Sequence, residues 1–118
     1  MLGLNWKGIK YISSNRLAHK GVFMIETAIK IIMCHTVGDY LFQTDYMAAA
    51  KGKDWYVLFI HCVCYCVPFA AVFGIGWRLA VMLAVHAVTD ALKARYKMIT
   101  LAADQFIHYA TAMLFLFA

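Results

Sequence analysis

A chain of 118 residues that is 64% hydrophobic and 14% charged, with a mean hydropathy of +0.71, lies far from the roughly 45–50% apolar and 25% charged make-up of a soluble domain. That composition argues against an ordinary water-soluble fold, and the length leaves room for one domain only. The formal charge of +5 does not point to nucleic acid, because the Lys and Arg residues are scattered at the ends of apolar runs, where lipid headgroups would meet them; membrane lipid is the expected partner.

Residues 1–20 mix Lys7, Lys10, Arg16 and Lys20 with Leu2, Leu4, Trp6, Ile9 and Tyr11. The segment is too polar to span and is expected to lie at the interface or stay mobile. Four apolar runs follow, at about 21–42, 55–73, 77–93 and 101–118, each near the roughly 17–25 residues that cross a bilayer as a helix. Gln43 to Asp54 is polar, Gly74 to Gly76 makes a tight turn and Ala94 to Thr100 is basic. Linkers this short force consecutive helices to run antiparallel. The expected fold is all-α, an integral-membrane four-helix up-down bundle over 21–118 with an N-terminal interfacial segment.

The first run holds Glu26 and Lys30 and no small-residue cleavage site, so it is expected to stay in the mature protein. Tyr40, Tyr46, Trp55 and Tyr56 mark one end of the bundle and Trp77 the other, as interfacial aromatics do. Pro68 sits in mid-helix, where it removes one backbone hydrogen bond. Cys34, Cys62, Cys64 and Cys66 lack the spacing of a thiolate metal site and are expected to pack as small apolar side chains, Cys62 and Cys66 on one face and Cys64 turned away.

Chemistry enters with the spacing of the polar residues inside these runs. The first helix carries His35 and Asp39, the third His86 and Asp90, the fourth Asp104 and His108, and the second His61. Each pair is four apart, hence on one helix face. In an up-down bundle all seven fall at the same end, and a rise of ~1.5 Å per residue sorts them into an aspartate layer roughly 6 Å outside a histidine layer. Hydrophobicity asks for none of them. A lone carboxylate at bilayer depth costs several kcal/mol, so such residues pair, bind ions or face water. His and Asp at i, i+4 also suit a divalent metal: zinc first, with manganese or iron as alternatives. His35, His61, His86, Asp90, Asp104 and His108 are the candidate ligands. Interhelical hydrogen bonding alone is the plain alternative.

The run G-D-Y-L-F-Q-T-D-Y-M-A-A-A-K at 38–51, preceded by His35, resembles an uncharacterised family of small bacterial and phage membrane proteins with the hallmark H-x-x-G-D-[FY]-x-x-Q. His61 after Trp55, His86-x-x-x-Asp90 followed by Lys93, and Asp104-Gln105-x-x-His108 resemble its later motifs. The likeness covers about residues 24–118; the stretch before Met24 departs from it, and Met24 is an alternative start. That family is distantly similar to inner-membrane metal-dependent hydrolases. The resemblance implies a metal-dependent hydrolase of the bacterial inner membrane. On the residues themselves, a divalent ion would activate water, Asp39 is the candidate base, and Gln43 and Gln105 are candidates to orient substrate or ligands or else interfacial caps, while the site's place near one headgroup layer points to a lipid or lipid-linked substrate.

The same residues could instead serve a metal-ion or proton conductor, expected as a homo-oligomer, or a non-enzymatic membrane interaction factor. Against conduction, the helices turn apolar beyond the histidines, and Thr27 and Thr111 are too few to form a path. Basic residues split evenly, Lys7, Lys10, Arg16, Lys20 and Arg78 against Lys51, Lys53, Lys93, Arg95 and Lys97. With the N-terminal segment set aside, the site end is expected to face the cytoplasm.

Overall fold

The computed structural model describes the backbone of residues 6–117 and the side chains of 13–117, and its regular structure is helical throughout. α1 (Trp6–Thr36) runs into a π-helical turn at Val37–Leu41; α2 is short (Asp45–Ala50); α3 spans Trp55–Phe73. α4 (Trp77–Asp90) runs into a second π turn at Ala91–Arg95, and α5 (Leu101–Ala112) tightens into a 3-10 turn at Met113–Phe117.

Local chemistry sets the starts. Thr44 Oγ1 accepts from Met47 N at 3.1 Å, Asp54 Oδ1 from Tyr56 N at 2.8 Å, and Thr100 Oγ1 from Ala103 N at 3.2 Å. Each side-chain oxygen satisfies an amide that the first helical turn leaves without a partner. α3 ends where Gly74 takes φ 82°, a left-handed conformation open to glycine, and Gly76 precedes α4.

Three elements depart from the expected layout. No break occurs at residue 20: from Trp6 onward the chain is α1, since neither Pro nor paired Gly interrupts 6–36, while residues 1–5 lie outside the described residues. The polar linker 43–54 holds α2, which buries Met47. The third and fourth helices lose their α-helical ends to the turns at Ala91 and Met113. Two helical stretches are therefore long and apolar enough to cross a membrane, Ser13–Leu41 and Trp55–Phe73; Leu101–Phe117 is a shorter apolar helix.

α3 packs against both α1 and α4, α4 against α5, and α5 returns to α1. Ile31, Cys34, Tyr65, Cys66, Phe69, Met82, Ala112 and Phe115 form the main core. Leu58, Cys62 and Ala91 make a smaller one. Cys62 and Cys66 are buried, Cys64 is less so, and all four thiols are free, as packing residues would be. Glu26 and Lys30 pair at 3.6 Å on the exposed face of α1, a contact worth little to stability.

Gly38, inside the first π turn, is where α1 and α3 touch at backbone level: a Cβ there would lie 2.5 Å from the Tyr65 carbonyl oxygen. Gly21 has nothing within 4 Å of that position. Gly38→Ala is therefore expected to destabilise the bundle by about 1–3 kcal/mol, the cost of overpacking, whereas Gly21→Ala should leave stability unchanged or slightly raised. Thermal melts of both variants in one detergent check this contrast.

Candidate metal centre

All seven expected residues converge at one end of the bundle. His35, His61, His86, Asp90, Asp104 and His108 are at most 2% exposed and Asp39 is 5% exposed. Histidine and aspartate side chains meet directly. His61 Nε2 lies 3.5 Å from Asp39 Oδ1 and 3.3 Å from Asp90 Oδ2, and His108 Nε2 lies 3.3 Å from Asp104 Oδ1. Asp39 is presented from within the π turn that ends the first helix, a widened stretch of the kind found at functional sites.

Two lysines enter this cluster. Lys51 Nζ donates to Asp90 Oδ1 at 3.1 Å and Gln43 Oε1 at 2.6 Å, and sits 2.9 Å from Asp90 Oδ2. Lys93 Nζ donates to Asp104 Oδ2 at 2.6 Å and lies 3.1 Å from Asp90 Oδ1. The chain Lys51–Asp90–Lys93–Asp104 thus balances two carboxylates with two ammonium groups. This corrects the expectation that Lys51 and Lys93 meet headgroups. Lys51 caps α2, and its neighbour Gly52 lets the backbone press against the second π turn, where a Cβ would lie 2.6 Å from the Ala94 carbonyl oxygen. Lys93 is three residues beyond Asp90, on the same side of the helix.

Asp39 pairs with no lysine among the described residues. Its Oδ2 accepts from Gln105 Nε2 at 3.1 Å and faces His108 Nδ1 at 3.6 Å. Gln105 cannot be turned round: its oxygen accepts from His35 Nε2 at 2.8 Å while its nitrogen donates to Asp39 and, at 3.3 Å, to Asp104. Gln43, four residues beyond Asp39, accepts from Lys51 through Oε1.

The four histidines are not equivalent. His35 is satisfied at both ring nitrogens, Nδ1 accepting from the Tyr65 hydroxyl at 3.0 Å and Nε2 donating to Gln105. His108 Nε2 donates to Thr89 Oγ1 at 2.9 Å, because the Thr89 hydroxyl hydrogen is directed to the Val85 carbonyl at 2.8 Å. That leaves the His108 Nδ1 lone pair facing inward, without a partner. His61 and His86 point Nε2 at Nε2 across 3.2 Å, and neither Nδ1 is hydrogen-bonded. Tyr65 stacks on His86 at 3.8 Å, nearly parallel, and so orients both His35 and His86.

Two groups of three therefore offer ligand atoms close enough to share an ion, Asp39–His61–His86 and His35–Asp39–His108. The first is the better fit. Ligand atoms 2.0–2.1 Å from a tetrahedral zinc are about 3.3–3.4 Å from one another, and His61 Nε2 stands 3.2, 3.5 and 3.3 Å from His86 Nε2, Asp39 Oδ1 and Asp90 Oδ2. In the second group His35 Nε2 is 3.9 Å from Asp39 Oδ2 and already bonded to Gln105. Neutral imidazoles with a carboxylate are a suitable donor set for zinc, manganese or iron.

The bundle closes behind this centre. Thr27 and Thr111 turn their hydroxyls back to the Phe23 and Ile107 carbonyls of their own helices at 2.8 Å. Phe69, Phe73 and Phe115 stack across the interior beyond them.

Of the residues that sequence reasoning left without a role, Tyr65 was readable as His61 plus four, Thr89 as His86 plus three and Lys93 as Asp90 plus three. Lys51 closes the motif run that begins at Gly38, yet nothing local announces that it folds back inward.

A family model described as "Protein of unknown function (DUF3307)" matches residues 27–118. No curated protein and no solved structure matches the chain.

Removing Lys51 should expose the cost of the buried charges. Lys51→Met leaves Asp90 with one ammonium partner and is expected to cost about 3 kcal/mol, and adding Asp90→Asn should recover at least half of it, since breaking a buried pair costs more than replacing both members. Denaturant unfolding of the single and double variants measures this, with Lys97→Met as an exposed reference expected within ~0.5 kcal/mol of the parent.

Proposed function

The chain belongs to this family of unknown function, and from the geometry of its own residues we propose that it is a membrane-embedded metal-binding protein that hydrolyses a lipid or lipid-linked substrate. One observation carries the metal: Asp39, His61 and His86, from three helices, bring donor atoms within 4.8 Å of one another, with His61 Nε2 3.2 Å from His86 Nε2 and 3.5 Å from Asp39 Oδ1, so that one small divalent ion could join them once the Lys51 ammonium, 3.4 Å from His61 Nε2, moves aside. In this reading the four long helices all lie in the bilayer, the two shorter ones held by packing against the two that can span it alone.

Zinc is the first candidate, with manganese or iron as alternatives, and Asp90 stands within reach as a further ligand if Lys51 moves off it. His35 and Asp104 then act as supports instead of ligands. A divalent ion held there would supply Lewis-acid activation of an ester, amide or phosphoester and of water. The remaining work falls to the chain. Asp39 Oδ2, steadied by Gln105 and facing His108 Nδ1, is the atom that would take a proton. Lys51 and Lys93 pair with Asp90 and Asp104, so that the carboxylate without a lysine partner is Asp39. Gln105 holds Asp39 at Oδ2, while His61 faces Oδ1.

The closed, aromatic far half of the bundle favours this dead-ended site over conduction. With the basic residues before Gly21 set aside, the site end carries Lys53, Arg95 and Lys97 against Arg78 at the other, which favours a cytoplasmic site end in a bacterial inner membrane.

Elemental analysis of gently extracted protein tests the proposal. About one tightly held divalent ion per chain is expected, lost in His61→Ala, His86→Ala and Asp39→Asn but retained in His35→Ala. Chelator should lower the parent's melting temperature and leave that of His86→Ala unmoved. No metal in the parent, or equal metal in all variants, would sink the reading. For hydrolysis, incubation with a lipid extract and mass spectrometry should give products with the parent and none with Asp39→Asn; unchanged lipids would leave a binding protein without this activity.

A further inference from the structure

An apolar groove of about 440 Å³ runs between α3 and α4 at the site-bearing end, lined by Trp55, Leu58, Cys62, Ala87, Val88 and Tyr96 among others. Its volume lies within the range of small-molecule sites. Its floor, Leu58, Cys62 and Ala91, is the smaller core cluster. Cys62 and Ala91 are the chain neighbours of His61 and Asp90, so the groove and the candidate metal centre share one wall.

The mouth of the groove is charged. The Arg95 guanidinium lies over the Trp55 ring, 4.1 Å from its centroid, and donates to the Lys53 carbonyl at 3.1 Å. That pair fixes a half-buried cation on the rim. Lys53 and Lys97 are exposed in the two adjoining loops. The acid of this region, Asp54, is turned to the amides of Tyr56 and Val57 at the start of α3. An apolar trough between interfacial aromatics, with a rigid arginine at its open end, matches a molecule with a hydrocarbon chain and an anionic head.

We propose that this groove binds an anionic phospholipid of the surrounding bilayer, one acyl chain lying against Leu58, Cys62, Ala87 and Val88 and its phosphate at Arg95. This rests on the membrane-embedded reading and names the lipid class delivered alongside the centre. Bulk electrostatic attraction draws anionic lipid to any basic loop; the groove differs in requiring both Arg95 and an open trough.

Trp55 sits in the groove and reports on it. In a Trp6→Phe/Trp77→Phe background reconstituted into vesicles, its fluorescence is quenched by lipids brominated on the acyl chain. Brominated phosphatidylglycerol is expected to occupy the groove about fivefold more readily than brominated phosphatidylcholine, the preference that one basic residue near a headgroup confers. Arg95→Gln should abolish that preference, and Ala87→Phe, which fills the trough, should weaken quenching by both lipids; neither should change the metal content.

Equal quenching by the two lipids in the parent would overturn the proposal while leaving the membrane reading intact, as would a preference that survives Arg95→Gln. Failure of either lipid to quench would overturn the membrane reading as well. Loss of metal in His86→Ala with the lipid preference retained would separate the groove from the centre.

Discussion

Burying three carboxylates in one end of a small helical bundle is the constraint on which the rest of the structure turns. An unpaired buried charge is among the most costly features a fold can carry. Asp90 and Asp104 meet it with Lys51 and Lys93 at 2.6 to 3.1 Å. Those lysines come from segments that apolarity alone would leave outside, and so the connections fold inward. α2 exists to deliver Lys51, and Gly52 exists to let that connection lie against the turn that carries Lys93. Such a chain of pairs is a poor source of stability compared with leucine in the same places. Its value is in specifying where charge is, and is not, balanced.

The two π turns serve that placement. Each lies at the site end of its helix beside an H-x-x-x-D pair: the first takes in Asp39 of His35–Asp39, and the second follows directly on Asp90 of His86–Asp90. π turns recur at functional sites because the inserted residue widens the helix and re-aims its side chains. Asp39 lies inside the first turn, next to Gly38, which meets α3 at the Tyr65 carbonyl. Tyr65 in turn bonds His35 and stacks on His86. One close backbone approach thereby registers α1, α3 and α4 around the centre.

Much of this was legible in the sequence, and for definable reasons. Apolar run length located α3 at 55–73 to the residue, because Asp54 and Gly74 end it chemically on both sides. The i, i+4 spacing put His and Asp on common faces, and antiparallel connection put those faces at a common end. What escaped were features without a local signature. A π turn at the end of a helix inserts one residue where too few positions follow for the shifted apolar period to show. Lys51 reads as a loop cation because its target lies 39 residues away. The difference between His35, bonded at both nitrogens, and His61 and His86, which face one another, depends on Tyr65 and Gln105, whose reach no periodicity reveals.

Charge balance also bears on what such a centre would accept. The lysine–aspartate chain cancels internally, and imidazoles bind a metal as neutral ligands, so a divalent ion held against the single carboxylate of Asp39 would leave the centre positive by one. A neutral ester would leave that excess in a low-dielectric interior, where it is costly; an anionic group such as a phosphoester would bring the sum to zero. The groove beside the centre carries the same sign at its rim, through Arg95 on Trp55. On the proposed reading, the two sites would favour the same class of molecule, an anionic lipid, one by what its buried charges leave uncancelled and the other by what its surface presents.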